Sequence, residues 1–187
     1  MTDRLFCFAG TDGGEWAVER QVNVTGDGLA QSSGLRILHA QDATPGVLDR
    51  AAWSLRGAPS SERYTTREEH QRLAAAQAAL GRPEALCAVL IPIRKSEAWW
   101  ALSQDERRAI FEERLRHVSG SMRYLPAIAG RVFHSHDLGE PFDFLTWFEF
   151  AAEHAGAFDE LLAFLRASEE WRYVEREVEV RARRAAS

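Results

Sequence analysis

The chain has 187 residues, of which 45% are hydrophobic and 27% charged, and its formal net charge is −5. This composition is typical of a globular protein with a real core, and the negative charge argues against a nucleic-acid partner. No apolar run approaches the ~18 residues of a membrane span, and the first residues lack a secretion signal. The sequence therefore predicts a cytoplasmic protein with no membrane partner.

The two cysteines, Cys7 and Cys87, form no CxxC or CxxCH motif. Their spacing excludes a thiol redox motif, a Cys-rich zinc site and covalent attachment of a c-type haem. We interpret both as small buried hydrophobic residues in a reducing compartment, which again favours the cytoplasm.

The N-terminal part is predicted to consist mostly of strands. Residues 3–9 and 15–24 have strand patterns around a glycine turn, and residues 35–39 and 53–56 predict two shorter strands. The segment TREE at 66–69 has capping-box spacing, so a helix is expected to begin there and to end near Gly81.

The C-terminal part alternates between strands and helices. The apolar run 86–93 predicts a buried strand, and a second capping box at 103–106 begins a helix that carries His117. Further patterns predict strands at 127–134, 142–150 and 174–180, a helix at 153–167 and a charged tail at 181–187.

A weak internal repeat links residues 15–24 to residues 170–180. Together with the two groups of strands and helices, it suggests two related α+β halves with antiparallel sheets. The alternative is a chance similarity between two amphipathic strands.

Common catalytic motifs are absent: the sequence has no Walker loop, GxGxxG, GxSxG or HExxH. His134 and His136 are spaced like two metal ligands on one face of a strand, but no third ligand is evident. A polar pair flanking a turn is the other interpretation.

His117 and the tryptophan pair Trp99–Trp100 permit a pocket for a large flat ligand such as haem. A haem iron needs a neutral imidazole whose other nitrogen is held by a hydrogen bond. The indoles could pack on the porphyrin edge, and Lys95 or Arg94 could pair with a propionate. From the residues alone, a role in the core and on the surface remains the alternative.

Four segments together resemble the chlorite dismutase family, and its short-chain bacterial lineage in particular. They are KSEAWW (95–100), YLPAIA (124–129), EPFDFLTWFE (140–149) and EEWRYVEREV (169–178). The resemblance implies two ferredoxin-like halves, which we place at residues 1–84 and 85–187, with haem b in the second half only. It also implies a homodimer that converts a small anion, chlorite, to chloride and dioxygen.

The family's site residues transfer by position within these segments. The resemblance implies His117 as the proximal iron ligand, Glu170 as its hydrogen-bond acceptor and Lys95 as a member of the same network. It places Trp99 and Trp100 beside the haem, and Thr146 and Phe148 on the distal side.

One position departs from the family pattern. Chlorite-degrading members carry a distal arginine thirteen residues after the proximal histidine, and here that position is Gly130. Arg131 is adjacent, but neighbouring side chains on a strand point to opposite faces. We therefore expect Arg131 to serve in catalysis only if a bulge at Gly130 shifts the register.

Two alternatives remain within this interpretation. One is another haem activity on the same fold, such as weak peroxidase activity or decarboxylation of a coproporphyrin haem. The decarboxylating relatives have a reactive tyrosine where this chain has Ile91, before Pro92. The other alternative is a haem-binding or interaction protein without catalysis.

Overall fold

Eight strands form the frame of the protein in a computed structural model that describes residues 5–59, 78–110 and 122–185. All strand pairings in this described part are antiparallel, and the strands close into a barrel in the order β1-β3-β2-β8-β5-β7-β6-β4. The strands are β1 (Phe6–Thr11), β2 (Trp16–Thr25), β3 (Gly34–His39), β4 (Trp53–Pro59), β5 (Cys87–Lys95), β6 (Ile128–His134), β7 (Phe144–Phe150) and β8 (Val174–Arg184).

The barrel consists of two four-stranded sheets with the same strand order. In each sheet the fourth strand neighbours the first, then the third and the second, as β4-β1-β3-β2 and β8-β5-β7-β6. This confirms the predicted α+β fold with two ferredoxin-like halves. The division at residues 84 and 85, and the restriction of haem binding to the second half, stay predictions.

Short helices connect the strands of the described part. They are α1 (Pro45–Leu48), α2 (Glu97–Ala101), α3 (Gln104–Arg108) and α4 (Ala155–Arg166), with 3₁₀ turns at Met122–Tyr124, His136–Leu138, Ala152–His154 and Glu170–Tyr173. The capping box predicted at Ser103 is confirmed, since Ser103 Oγ accepts from the Glu106 amide and Glu106 accepts from the Ser103 amide. The other predicted capping box, at residues 66–69, lies outside the described residues, and so does His117.

Two expectations from the sequence are wrong. The charged segment after residue 180 is not a tail, because β8 continues to Arg184 and pairs with Trp16 of β2 and Cys87 of β5. Long arginine side chains can reach solvent from a paired strand, so the charged residues after position 180 did not indicate the end of β8. The two similar segments are also not equivalent strands, because β2 is the second strand of its half and β8 the fourth strand of the other, although the two halves that they suggested are present. The two are barrel neighbours, which leaves the chance similarity of amphipathic strands.

The buried residues form two clusters on either side of the C-terminal sheet. One fills the barrel and includes Phe8, Trp16 and Trp147. The other lies between the sheet and α4 and includes Phe150, Phe158 and Ile128. We call the side of β5, β6, β7 and β8 that carries this second cluster the outer face.

The burial of the cysteines and the character of the helices can be compared with the predictions of a reducing compartment and no membrane span. Cys7 is buried as predicted, and burial raises the pKa of its thiol. Cys87, the first residue of β5, is only half-buried, and both thiols are free. Within the described ranges, none of the helices has the length and apolar character needed to cross a bilayer.

Candidate functional site

Strand register brings four of the predicted site residues onto the outer face. Thr146 of β7 pairs with Ile91 of β5 on one side, and Phe148 pairs with Gly130 of β6 on the other. Lys95 ends β5 two positions after Ile93, which pairs with Phe144. Because paired residues share a face and side chains alternate along a strand, these positions all lie on one side of the sheet.

In the middle of β6 and β7, several side chains of the outer face keep accessible surface. Val132 is 39% exposed, and Thr146 and Phe148 are half-buried. On the barrel side, Trp147 and Ala129 are only 1% and 0% exposed. The outer face therefore offers apolar surface that a ligand can still cover, whereas Trp147 and Ala129 on the barrel side are covered by the protein itself.

Gly130 sits beneath the ring of Phe148. A Cβ atom at this position would lie 3.0 Å from two carbons of that ring, which is tighter than ordinary contact. β6 and β7 pair from Ile128 to His134 without a register shift, and Arg131 pairs with Trp147 on the barrel side. The bulge that would bring Arg131 to Thr146 and Phe148 is therefore not formed.

A buried ion pair lies at the end of β5. Lys95 Nζ is 2.7 Å from Glu170 Oε1, and the two side chains are only 1% and 8% exposed. Lys95 also lies 4.7 Å from the ring centroid of Trp99. The 3₁₀ turn that presents Glu170 is fixed to this strand end, because its Tyr173 carbonyl accepts from the Ser96 amide at 2.7 Å. The structure thus brings Lys95, Trp99 and Glu170 together.

The two tryptophans have different surroundings. Trp99 is 1% exposed, whereas Trp100 is half-buried at the edge of the outer face. The Trp100 ring stacks on His136 with centroids 3.8 Å apart, and the Arg107 guanidinium lies 5.2 Å from the same ring. Arg107 also donates to the Trp100 carbonyl at 2.6 Å.

Asp143 connects these two groups and was not predicted from the sequence. Its Oδ1 is 2.6 Å from His136 Nδ1, and its Oδ2 accepts from the Lys95 amide at 2.7 Å. The carboxylate is 6% exposed. A charged residue between two buried phenylalanines, Phe142 and Phe144, was the available signal, because a buried carboxylate requires partners.

The metal interpretation of His134 and His136 receives no support from their contacts. His134 packs against the ring of Phe144 at 4.9 Å, whereas His136 binds Asp143 and stacks on Trp100. Across residues 5–59, 78–110 and 122–185, no three His, Cys, Asp or Glu side chains are grouped to hold a metal ion.

Residues 21–184 match the family model described as chlorite dismutase, from within β2 to the end of β8. The chain belongs to the chlorite dismutase family.

Chlorite dismutases of known structure have the same fold. The dimeric chlorite dismutase of Nitrobacter winogradskyi is 50% identical, with a TM-score of 0.88 over 96% of this chain and 99% of that chain. A mutant chlorite dismutase from Candidatus Nitrospira defluvii, solved with cyanide, is 19% identical with a TM-score of 0.70 over 97% of this chain and 90% of that chain. At that identity the likeness shows the fold alone.

A curated relative matches over only part of its length. The chlorite dismutase of Ideonella dechloratans is 30% identical over 86 residues, which are 46% of this chain and 28% of that protein. The chain therefore spans only about a quarter of that relative, and its activity, substrate and partners do not transfer directly.

Proposed function

We propose that this chlorite dismutase family member binds haem b on the outer face and acts on chlorite, with low turnover. The observation that carries the proposal is the buried Lys95–Glu170 pair, which lies at the end of the face shared by Thr146, Phe148 and Gly130. A buried carboxylate fixed by a lysine is the kind of partner that orients a ligating imidazole.

The residues of the outer face fit a haem group. The half-buried Trp100 and Phe148 and the exposed Val132 supply apolar surface for a flat macrocycle. His117 would ligate the iron, and Glu170 would accept a hydrogen bond from its other ring nitrogen. The haem would supply a redox-active iron that acts on the substrate.

The protein's own groups would then control the ligand and the substrate. Lys95 holds the carboxylate of Glu170 in place through their ion pair, and a carboxylate so placed would make the imidazole of His117 a stronger donor to iron. Phe148 excludes water from the substrate side, and Thr146 offers a hydroxyl. Gly130 contributes no charge there, so chlorite would enter a pocket without the arginine that stabilises developing negative charge in its relatives.

Haem ligation can be tested with a spectrum of the purified protein. We expect a Soret band and ferric high-spin or mixed-spin haem in the wild type. His117→Ala should lose most of the haem or change its spin state, whereas the control His154→Ala, at the start of α4, should not. An unaltered spectrum in His117→Ala would refute the ligand assignment.

Oxygen evolution from added chlorite tests the reaction itself. We expect slow release of dioxygen that stops early, because hypochlorite that escapes from the site bleaches the haem. The absence of dioxygen from a haem-loaded sample would favour the second candidate, a haem-binding protein without catalysis. The packing of Phe148 over Gly130 is the observation that supports this alternative.

Decarboxylation of a coproporphyrin haem is disfavoured by Ile91. This side chain is 2% exposed and lies on the outer face opposite Thr146, where it cannot form a tyrosyl radical. Weak peroxidase activity remains compatible with the same site.

We further propose that the protein is a cytoplasmic homodimer. The 50% identity to a dimeric chlorite dismutase over nearly the whole chain supports the dimer. Light scattering coupled to size-exclusion chromatography should give twice the chain mass of 21.1 kDa, and a monomer at micromolar concentration would contradict the proposal.

A further inference from the structure

Lys95 is the only lysine in the chain, and it is buried at the end of β5 with 2% exposure. Regular strand pairing does not fix the direction of its side chain. β5 pairs with β7 only as far as Ile93 and Phe144, and its pairing with β8 shifts register between Arg94 and Lys95. A register shift re-aims the side chains beside it, so a group outside the ladder must hold Lys95 towards Glu170.

The carboxylate of Asp143 supplies this constraint. Asp143 is 6% exposed, and its Oδ2 accepts from the Lys95 amide at 2.7 Å. Its own amide donates to the Ile93 carbonyl at 2.9 Å, and its carbonyl accepts from the Ser135 amide at 2.9 Å. The Asp143 side chain thus takes the place of a main-chain partner for Lys95 where the pairing of β5 with β7 ends.

The other oxygen of this carboxylate is directed at the edge of the outer face. Asp143 Oδ1 is 2.6 Å from His136 Nδ1, and the His136 ring stacks on Trp100 with centroids 3.8 Å apart. Leaving such buried groups unpaired is costly, so the carboxylate restrains both of its partners. One side chain therefore restrains two parts of the proposed haem site, namely the end of β5 and the ring of Trp100.

We propose that Asp143 is a positioning residue of the haem site, which holds the ammonium of Lys95 against Glu170 and keeps Trp100 at the edge of the outer face. The inference rests on the proposed function, where Glu170 is the acceptor for His117. Without Asp143, the end of β5 would turn and Lys95 would lose its 2.7 Å contact with Glu170. The imidazole would then lose a fixed acceptor and become a weaker donor to iron, which raises the ferric/ferrous potential.

The main experiment measures the ferric/ferrous potential of the haem-loaded protein by spectroelectrochemistry. Asp143→Ala should raise this potential by about half or more of the rise that Glu170→Gln produces. Asp143→Asn should stay close to the wild type, because its amide oxygen can still accept from the Lys95 amide.

Two control variants separate positioning from stability. Glu149→Gln changes another buried carboxylate, which accepts from the Trp147 indole at 2.8 Å on the barrel side. It should lower the urea midpoint without raising the potential. His136→Phe keeps a ring that can stack on Trp100 but removes the nitrogen that contacts Asp143. It should change the potential far less than Asp143→Ala does.

The hydrogen bond to the Lys95 amide can be measured separately by NMR. Selective ¹⁵N labelling of lysine gives a single backbone amide signal, since Lys95 is the only lysine. Its proton should resonate at low field in the wild type and move to higher field in Asp143→Asn, because a neutral oxygen is a weaker acceptor than a carboxylate. A protein that carries haem is measured in its diamagnetic ferrous form with carbon monoxide. This variant keeps the proposal testable if Asp143→Ala does not fold.

Three results would overturn the proposal. They are an unmoved lysine amide signal in Asp143→Asn, a wild-type potential in Asp143→Ala while Glu170→Gln raises it, and a rise in His136→Phe or Glu149→Gln as large as that in Asp143→Ala. If Glu170→Gln itself leaves the potential unchanged, the proposed support of His117 by Glu170 is refuted, and this inference with it.

Discussion

The two faces of β6 and β7 carry different chemistry within the same few residues. On the barrel side, Trp147 and Glu149 are buried and joined by a hydrogen bond of 2.8 Å. On the outer face, Thr146 and Phe148 are half-buried and Gly130 has no side chain. Trp147 and Glu149 are thus covered by the protein itself, while the middle of the outer face keeps surface that a ligand could cover.

The difference explains why Arg131 does not replace the missing arginine at Gly130. Adjacent residues on a strand point to opposite faces, so an arginine one position after Gly130 points to the barrel side instead of the outer face. In this chain Arg131 lies on the barrel side, where it pairs with Trp147. Gly130 and Arg131 therefore belong to opposite faces of β6, and substitutions on the two faces should have separable effects.

The largest expected effect concerns the ion pair at the edge of the outer face. Lys95→Met should destabilise the protein by about 3–5 kcal/mol, because it leaves the carboxylate of Glu170 buried without its cation. Urea unfolding at neutral pH measures this loss.

The double variant Lys95→Met/Glu170→Gln is the matched control, since it removes both charges. It should recover much of the stability. If the single variant is as stable as the wild type, Glu170 is not held as a buried carboxylate by Lys95, and the proposed support of His117 loses its basis.

The next effect is on activity, through Gly130. Gly130→Arg should raise chlorite turnover roughly ten- to a hundredfold and slow the bleaching of the haem, since a charged hydrogen bond contributes roughly 1.5–3 kcal/mol. The new Cβ would lie 3.0 Å from the Phe148 ring, so this ring must shift. Gly130→Arg/Phe148→Leu should therefore show the larger gain in an oxygen-electrode assay.

Arg131→Ala serves as the control for this comparison. It faces the barrel and should leave turnover nearly unchanged. Robust wild-type activity that Arg131→Ala abolishes would show that Arg131 reaches the substrate side, against the register of β6 and β7.

A smaller effect should separate adjacent residues of β7. Trp147→Phe removes the indole donor to Glu149 inside the barrel and should cost about 1–2 kcal/mol in unfolding free energy. Phe148→Leu, on the half-buried outer face, should cost less but alter the haem spectrum. Equal losses of stability without a spectral change would mean that the outer face is packed like the barrel side.

Much of the fold was predictable from the sequence because its signals are local. Apolar and polar residues alternate along strands such as β8, α4 repeats apolar residues at helical spacing, and Ser103 begins a capping box. The end of β8 was not predictable, since its arginines are stabilised by β2 and β5, which are distant in sequence. Barrel closure between β4 and β6 also depends on distant pairing, with only Ala58 and Pro59 of β4 involved.

The candidate site was predictable only where the family pattern applied. Lys95 and Glu170 are 75 positions apart, and nothing local in the sequence joins them. Their contact, and the faces of Gly130 and Arg131, follow from strand register. Asp143 and the stacking of His136 on Trp100 were missed, because a single carboxylate or histidine does not reveal its partner. His117 stays a prediction.

The smallest effect concerns the part of the outer face that α4 covers. There β8 carries Glu179, which binds Arg181 at 2.6 Å and Arg166 of α4 at 2.7 Å. Burial alone would raise the pKa of Glu179, but these hydrogen bonds together outweigh it and hold the pKa below its ordinary value of 4.5. The part of the outer face that α4 covers thus contains ion pairs, whereas the part over β6 and β7 exposes apolar side chains.

A lowered carboxyl pKa makes stability depend on pH in one direction. The ionised Glu179 stabilises the fold above its ordinary pKa of 4.5, and this contribution is lost as the pH falls through the lower pKa of the folded state. Urea midpoints should therefore fall more steeply in acid for the wild type than for Glu179→Gln, which has no such proton to bind. Glu175→Gln is the control, because Glu175 lies on the same strand but is 45% exposed in its pair with Arg94. It should leave the acid dependence nearly unchanged, since exposed pairs contribute little. If both variants follow the wild-type curve, the charges under α4 do not set the acid stability, and the two parts of the outer face differ in shape alone.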